Sequence, residues 1–366
     1  MTLQDKKISK LKIAYIPYSS YGNNLTYDRR NILLYGKLKK IKLYAFNKKK
    51  KYDYIILPPS FDITDEKFIK SRKEVIIAQL VDNYLDDTSI FKNIFRGLLK
   101  YILGKNSKIT FNYKKTLKNF LGIVDIVLCA SDNQFNNIKK INPKVFKIFE
   151  GNFNLFSEIK KDYRIKKKAI ISWEGRAENI KYINDFYGIF KYLEKKIDFY
   201  FFIFSDFYWS SLDGKFFKFK TLNILSKIFR DLISFNTTFT QSRIYFYQWN
   251  YITTPKLLID SDLFIIPAGK SNEFLSGRSP NKVLMAMRMG LPVLTSDIDS
   301  YKSLSRRSKV DFCCSNINEW KIKILKYLKS EKLRKNSAHK LRKFVNKNYN
   351  KKKFIKIYDQ IFLSKN

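Results

Sequence analysis

Residues 279–297 read SPNKVLMAMRMGLPVLTSD, and this stretch decides the fold. Ser279-Pro280 opens it. A proline at the first helical position, after a capping hydroxyl, starts a helix. Val283, Leu284, Ala286 and Met287 then recur at helical spacing and form an apolar face. Gly290 stops the helix, because glycine enters the left-handed conformation without a Cβ clash. Leu291 to Leu294 is a short apolar run in which Pro292 suits only the first positions. Thr295, Ser296 and Asp297 close the stretch as a polar turn. The pattern predicts a helix, a tight turn and a buried parallel strand, ending where open α/β sheets place their ligands.

The surrounding chain has room for such units. Its 366 residues suit two α/β domains of ordinary size. Lys and Arg number 72 against 32 Asp and Glu, a net charge of +40. That charge invites an anionic partner: nucleic acid, an anionic membrane or a phosphorylated substrate. Lysine far outnumbers arginine, however, and Ile, Asn, Phe and Tyr are abundant too. All are encoded by A/T-rich codons, so genome composition explains the charge as well as selection does. Lysines spread along the whole chain speak against a dedicated nucleic-acid patch. Cys129, Cys313 and Cys314 form no disulfide framework and no C-x-x-C, which suggests a reducing cytoplasm and no structural zinc. The charged start MTLQDKKISK is not a signal peptide, and no stretch approaches the 18 or so apolar residues of a membrane span.

Strand-like runs alternate with helical patterns: 11–17, 42–46, 52–57, 74–80, 124–130 and 144–149, then 169–173, 198–204 and 243–249. The first strand ends in the loop YSSYGNN, which holds Ser20, Gly22 and Asn23. Gly22 permits close backbone approach to a ligand, and an ordinary β-to-α turn explains the loop equally well. Asp82 follows the strand EVIIAQL. It is placed either to meet an acceptor hydroxyl or to cap a helix. In residues 91–108, Phe91, Ile94, Phe95, Leu98, Leu99 and Ile102 share one helical face, with Lys92, Arg96, Lys100 and Lys105 around it. Such a helix lies in a membrane interface or, more commonly, packs on its own sheet.

The segment AMRMGLPVLTSD resembles the donor-site segment of GT-B glycosyltransferases of the group 1, family 4-like kind, whose pattern runs E-A-M-A-x-G-x-P-V-v-x-S-D. SPNK is similar to an S-x-N-[KR] helix start found among them. VDIVLCASDNQ resembles a segment late in their N-domain, and Gly175, Arg176 and Lys181 keep the spacing of their G-R-x-x-x-x-K. The resemblance implies an α/β protein of two Rossmann-like domains facing across a cleft. Residues 1–155 would bind the acceptor and 156–340 the nucleotide sugar. The basic helix 341–366 would cross back to the N-domain or serve as a polyanion-binding arm. It further implies a hexosyltransferase that moves a sugar from a nucleotide diphosphate donor to a glycan or lipid-linked acceptor. No cofactor is implied beyond the donor itself. The setting implied is cell-surface polysaccharide assembly, in the cytoplasm or on the inner face of the membrane, with peripheral contact to anionic lipid.

For the donor side this points to Gly175, Arg176, Lys181, Ser279, Asn281 and Lys282. A glycine admits a pyrophosphate to the backbone, a helix N-terminus offers N–H groups, and cations offset the leaving diphosphate. Plain capping and solvation are the bland readings of the same residues. Ser20, Gly22 and Asn23 would face the acceptor. The chain departs from the family twice. Met285 stands where many members have a ribose-holding glutamate, and Gly277 where its upstream acidic partner would be, with Glu273 nearby. His339 is the only histidine, so any acid or base is a carboxylate: Asp82, Glu174 or Glu273, with Asp82 and Glu273 preferred. No acidic or histidine cluster suggests a metal site, so metal-independent transfer is expected, with stereochemistry open. Three other readings stay open: a catalytically impaired GT-B protein that binds sugar nucleotides, a sugar-nucleotide epimerase of the same fold, and a nucleic-acid-binding protein, for which no specific motif is present.

Overall fold

Near-continuous apolar runs such as YIIL, VIIAQ and IVLC read as strands covered on both faces, as in parallel sheets. The computed structural model describes residues 3–18, 31–80, 85, 89–151, 153, 156–210, 218–232, 243–269 and 278–364. Within it the runs form two parallel six-stranded sheets, one in each of two units. The first unit comprises Met1–Asn152, Asn272–Asn281 and Tyr349–Asn366, and the second Phe153–Ser271 and Lys282–Asn348.

The first unit holds β1 (Ile13–Tyr15), β2 (Leu43–Ala45), β3 (Tyr54–Leu57), β4 (Val75–Gln79), β5 (Ile126–Cys129) and β6 (Val145–Lys147). Their order across the sheet is β2-β1-β3-β4-β5-β6. The C-terminal helix Lys351–Leu363 belongs to this unit, although its surroundings in sequence are strongly basic. An apolar stripe anchors it: Tyr358 stacks on Tyr35 at 5.0 Å between centroids, and Phe362 meets the edge of Tyr54. Tyr54 Oη donates to the Phe362 carbonyl (2.8 Å), and Tyr35 Oη and Lys39 Nζ both reach the Asp359 carboxylate (2.8 and 3.1 Å).

The second unit holds β7 (Ala169–Glu174), β8 (Phe199–Ser205), the short antiparallel pair β9 (Tyr208–Ser210) and β10 (Lys218–Lys220), then β11 (Ile244–Gln248), β12 (Leu263–Ile266), β13 (Val293–Ser296) and β14 (Cys313–Cys314). Its sheet runs β11-β8-β7-β12-β13-β14. Counted along the main sheet, that is the 3-2-1-4-5-6 order of doubly wound nucleotide-binding folds, with the reversal of direction between β7 and β12. The decisive helix is Asn281–Met289, and Gly290 ends it at φ +69° as its position requires. The Leu291 N–H closes the turn on the Ala286 carbonyl (3.0 Å), and β13 follows fully buried.

One device recurs in both sheets. An aspartate just before a strand accepts the N–H of a residue on the neighbouring strand, while its own N–H donates to the carbonyl of the same residue. Asp53 does this with Lys12 ahead of β3, Asp125 with Ile76 ahead of β5, and Asp262 with Ile170 ahead of β12. The two bonds fix the offset of the strands, and in a parallel sheet a slip of one residue turns every side chain to the wrong face. Asp262 is the buried case. Lys160 Nζ lies 4.0 Å from it and donates to the Ile259 carbonyl. Burial pushes the Asp262 carboxyl up and the Lys160 ammonium down, each toward its neutral form. Nearby, the buried Arg334 guanidinium donates to the carbonyls of Tyr163, Tyr327 and Leu328, capping the C-terminus of the helix Ile317–Lys329.

Two outcomes follow for stability. Asp262→Ala leaves the Ile170 N–H without its acceptor and removes the carboxylate beside buried Lys160, so it should cost about 2–4 kcal/mol in denaturant unfolding. The same change at Asp125, which water can reach, should cost only about 1–2 kcal/mol. Asp62 supplies a pH test. Its burial favours the neutral acid, but hydrogen bonds from Thr64 (Oγ1 2.6 Å, N 2.8 Å) and the Ser107 N–H (2.7 Å) outweigh that and lower its pKa. Its contribution is therefore present above the unfolded pKa and lost as pH falls through the lower folded one. The Ser107 amide resonance should titrate with a midpoint below about 3.9; a midpoint at or above that value would contradict the arrangement.

Candidate functional site

Ligands of doubly wound sheets sit beyond the carboxyl ends of the strands, at the switch point. In the second unit that place is the end of β7 and the start of the helix that follows β12. Two residues far apart in sequence meet there. Lys282, in the first turn of the helix Asn281–Met289, donates from Nζ to the Glu174 carbonyl (2.8 Å) and lies 3.1 Å from the Glu174 carboxylate. Glu174 is the last residue of β7, and its side chain is 14% exposed. The ammonium is also 6.0 Å from the ring centroid of Trp173, the buried residue before it. A cation is thus held at the strand end by a carboxylate, a carbonyl and a ring face, while 29% of its side chain stays in contact with water.

Gly175 makes this approach possible. A Cβ there would fall 2.5 Å from the Trp173 ring and 3.2 Å from Lys282 Nζ. The Gly175 N–H itself donates to the Phe204 carbonyl (3.0 Å), so the residue contributes space and not a free amide. Arg176 is the residue before a 3₁₀ helix, Ala177–Ile183, where sequence reading expects an α-helix with open N–H groups. The Ala177 N–H is taken by the Asp206 carboxylate (3.2 Å), which reduces the anion-binding capacity of this terminus. Arg176 is 74% exposed and pairs with Glu178 (2.8 Å). Lys181 is exposed further along the same helix, 5.3 Å over the Tyr182 ring. Gly175 and Lys282 are brought together; Arg176 and Lys181 are directed to their own neighbours.

Ser279 does not cap the helix. Its Oγ is buried and without a hydrogen-bond partner among the described residues, and the helix begins at Asn281, one residue past Pro280. Met285 is buried at 4% exposure, one turn on from Asn281 and Lys282 in that helix. The catalytic candidates Asp82 and Glu273, and the loop residues Ser20, Gly22 and Asn23, lie outside the described residues. Among the described residues no three His, Cys, Asp or Glu side chains converge as a metal site. No described helix is long and apolar enough to cross a membrane.

Sequence reading left the placement of four side chains unassigned. Glu174 emerges as the group that holds Lys282, beyond its listing among three carboxylates. Ser296, the last residue of β13, both accepts the Ala268 N–H (2.9 Å) and donates to the Ala268 carbonyl (3.1 Å), fixing the chain as it leaves β12. Ser205, at the end of β8, carries a fully buried hydroxyl without a hydrogen-bond partner among the described residues, and the Trp249 indole N–H beyond β11 is likewise unmatched among them. Their common signal is position: each lies at or just past the carboxyl end of a strand of the second unit's main sheet.

No family model matches the chain, and no curated protein matches its sequence. Solved structures do match its fold. TarM superposes with a TM-score of 0.56 at 15% identity over 85% of this chain, which spans only 54% of TarM's length. A glycosyltransferase from Rickettsia africae ESF-5 gives 0.59 at 13% identity, covering 98% of this chain and 100% of that one. A TarM variant from S. aureus, solved with fondaparinux, α-GlcNAc-glycerol and UDP, gives 0.55 at 14% identity, over 85% of this chain and 55% of that one. Together with two parallel six-stranded sheets, these place the chain in the fold class of the GT-B glycosyltransferases.

The packing around Gly175 makes one expectation sharp. Gly175→Ala must displace the Trp173 ring, and overpacking of this kind costs about 1–3 kcal/mol. Thermal unfolding should show the loss; an unchanged melting temperature would mean the ring has room to move.

Proposed function

We propose that this protein is a glycosyltransferase that takes a hexosyl group from a nucleoside diphosphate sugar. The observation that carries the reading is the Lys282 ammonium held over Gly175 at the β7/β12 switch point of a GT-B fold. In the transfer, an acceptor hydroxyl oxygen bonds to the anomeric carbon as the bond from that carbon to the diphosphate oxygen breaks. Negative charge grows on the leaving diphosphate, and a preplaced cation at that position stabilises it without reorganisation. Lys282 is preplaced by Glu174, which acts in this reading as a positioning residue. Arg176 needs only to leave an exposed pair with Glu178, which holds it weakly. Lys181, Ser279 and Asn281 complete the donor side, and Asp82 and Glu273 are the carboxylates assigned to the acceptor proton. With these cations present, transfer is proposed to proceed without a metal ion.

The acceptor is proposed to be a glycan or a lipid-linked acceptor in cell-surface polysaccharide assembly. The glycan and UDP named for the TarM variant support the chemical kinds of both substrates. A second reading keeps sugar-nucleotide binding without turnover. Buried Met285, where the resembling enzymes carry a glutamate, favours it.

Calorimetry with UDP, GDP, ADP and CMP, with and without magnesium, tests the reading. One nucleotide should bind selectively and indifferently to metal. Arg176→Ala/Lys282→Ala should weaken it by roughly 10- to 100-fold or more, from the loss of charged hydrogen bonds. Equal, weak and salt-abolished binding of all four would reject the site. Selective binding without hydrolysis or transfer of the matching nucleotide sugar would favour the second reading.

A further inference from the structure

The helix Ile90–Ile102 is turned inside out. Phe91, Phe95, Leu98 and Ile102 follow one another at helical spacing along a single stripe, and the structure leaves them 85%, 64%, 40% and 61% exposed. A helix on a globular domain ordinarily buries such a stripe. Here the buried residues of the helix are Asn93 and Gly97, on the opposite side. A Cβ on Gly97 would collide with the Thr110 carbonyl, so glycine lets this polar side press against the chain that follows. Lys100 Nζ donates to Tyr113 Oη (2.8 Å), and the Arg96 guanidinium lies 5.7 Å over the Tyr113 ring. On either side of Thr110, Ile109 and Phe111 are 44% and 71% exposed. The expectation that this apolar face packs on its own sheet is therefore reversed. Amphipathicity defines two faces but not which of them the domain takes, and Gly97 with Tyr113 decides for the polar one.

The charge around the stripe is of one sign. No Asp or Glu occurs between Ser89 and Val124, and Lys92, Lys105 and Lys108 are exposed beside the apolar residues. Below the turn, Asp62 and Thr64 bind Ser107 and Lys108 and hold the segment in place. An apolar stripe of rings and aliphatic side chains with a cationic margin matches one kind of surface in both respects. An acyl boundary takes the rings, and anionic headgroups take the lysines. We propose that the outward face of Ile90–Ile102, extended by Ile109 and Phe111, docks this protein on an anionic phospholipid bilayer. This docking goes beyond the sugar-transfer reading and does not depend on it.

Co-sedimentation of the full chain with phosphatidylcholine vesicles, with and without phosphatidylglycerol, tests the proposal. Wild type should pellet with the anionic vesicles and far less with the neutral ones. Phe91→Ser/Phe95→Ser should lower the partition coefficient at least about tenfold, since each removes a ring from the acyl boundary. Phe111→Ser, outside the helix, should lower it less. Lys92→Gln/Lys105→Gln/Lys108→Gln should weaken binding and flatten its dependence on salt. Nucleotide affinity should stay unchanged in all of them, so a failure here is separable from a failure of the donor site. The proposal is overturned if wild type ignores anionic vesicles at low salt, or if the phenylalanine variants bind as wild type does. It is also overturned if wild type dimerises without lipid and Phe91→Ser/Phe95→Ser disperses the dimer, which would make the face a self-association surface.

Discussion

Strand register, pinned by an aspartate at the start of a strand, is the constraint on which the rest of this structure rests. Asp262 does it for β12 against β7, and Asp125 and Asp53 repeat it in the other sheet. Parallel strands carry their ligands at their carboxyl ends, so an offset set at one end determines which residues arrive at the other. With β12 offset by Asp262, Ile170 and Leu263 lie near the start of the pair, and Glu174 and the loop after Ile266 lie at its end. The pins cost something when buried. Asp262 and Lys160 are both driven toward neutrality, and the Ile170 N–H and Ile259 carbonyl offset part of that cost.

The meeting of Lys282 with Glu174 is the chemical result. A lysine alone in a chain of +40 net charge carries little information. A lysine fixed by a carboxylate, a carbonyl and a tryptophan face, above a glycine that leaves it room, is a preorganised cation. Preorganisation is what distinguishes a group that stabilises developing charge from one that merely adds to the surface potential. The Glu174 carboxylate and carbonyl keep the ammonium in place.

The first unit balances two helices in opposite ways. The C-terminal helix follows a strongly basic stretch, yet it is captured by a stripe of Tyr358 and Phe362 and by the Asp359 carboxylate. The helix Ile90–Ile102 has the stronger apolar stripe and keeps it in water. Packing explains the difference. Tyr35 and Tyr54 offer the first helix rings and hydroxyls. Thr110 and Tyr113 offer the second a carbonyl wall and a ring face that suit glycine and cations.

Much of this was legible in the sequence, because local patterns determine local structure. The runs YIIL, VIIAQ and IVLC read as buried strands, Gly290 read as the end of a helix, and chain length with the family resemblance pointed to two such domains. The stretch 279–297 located the helix of the candidate site and put Lys282 on it. Tertiary structure decided the rest. Glu174 and Lys282 are 108 residues apart, and only the β7/β12 neighbour relation brings them together. The Ala177 N–H at the start of the 3₁₀ helix is taken by Asp206, 29 residues away, a contact with no local signal. The outward turn of Phe91 and Phe95 reverses the usual use of an amphipathic helix. Sequence periodicity states that a helix has an apolar side; the surface it is laid against determines where that side points.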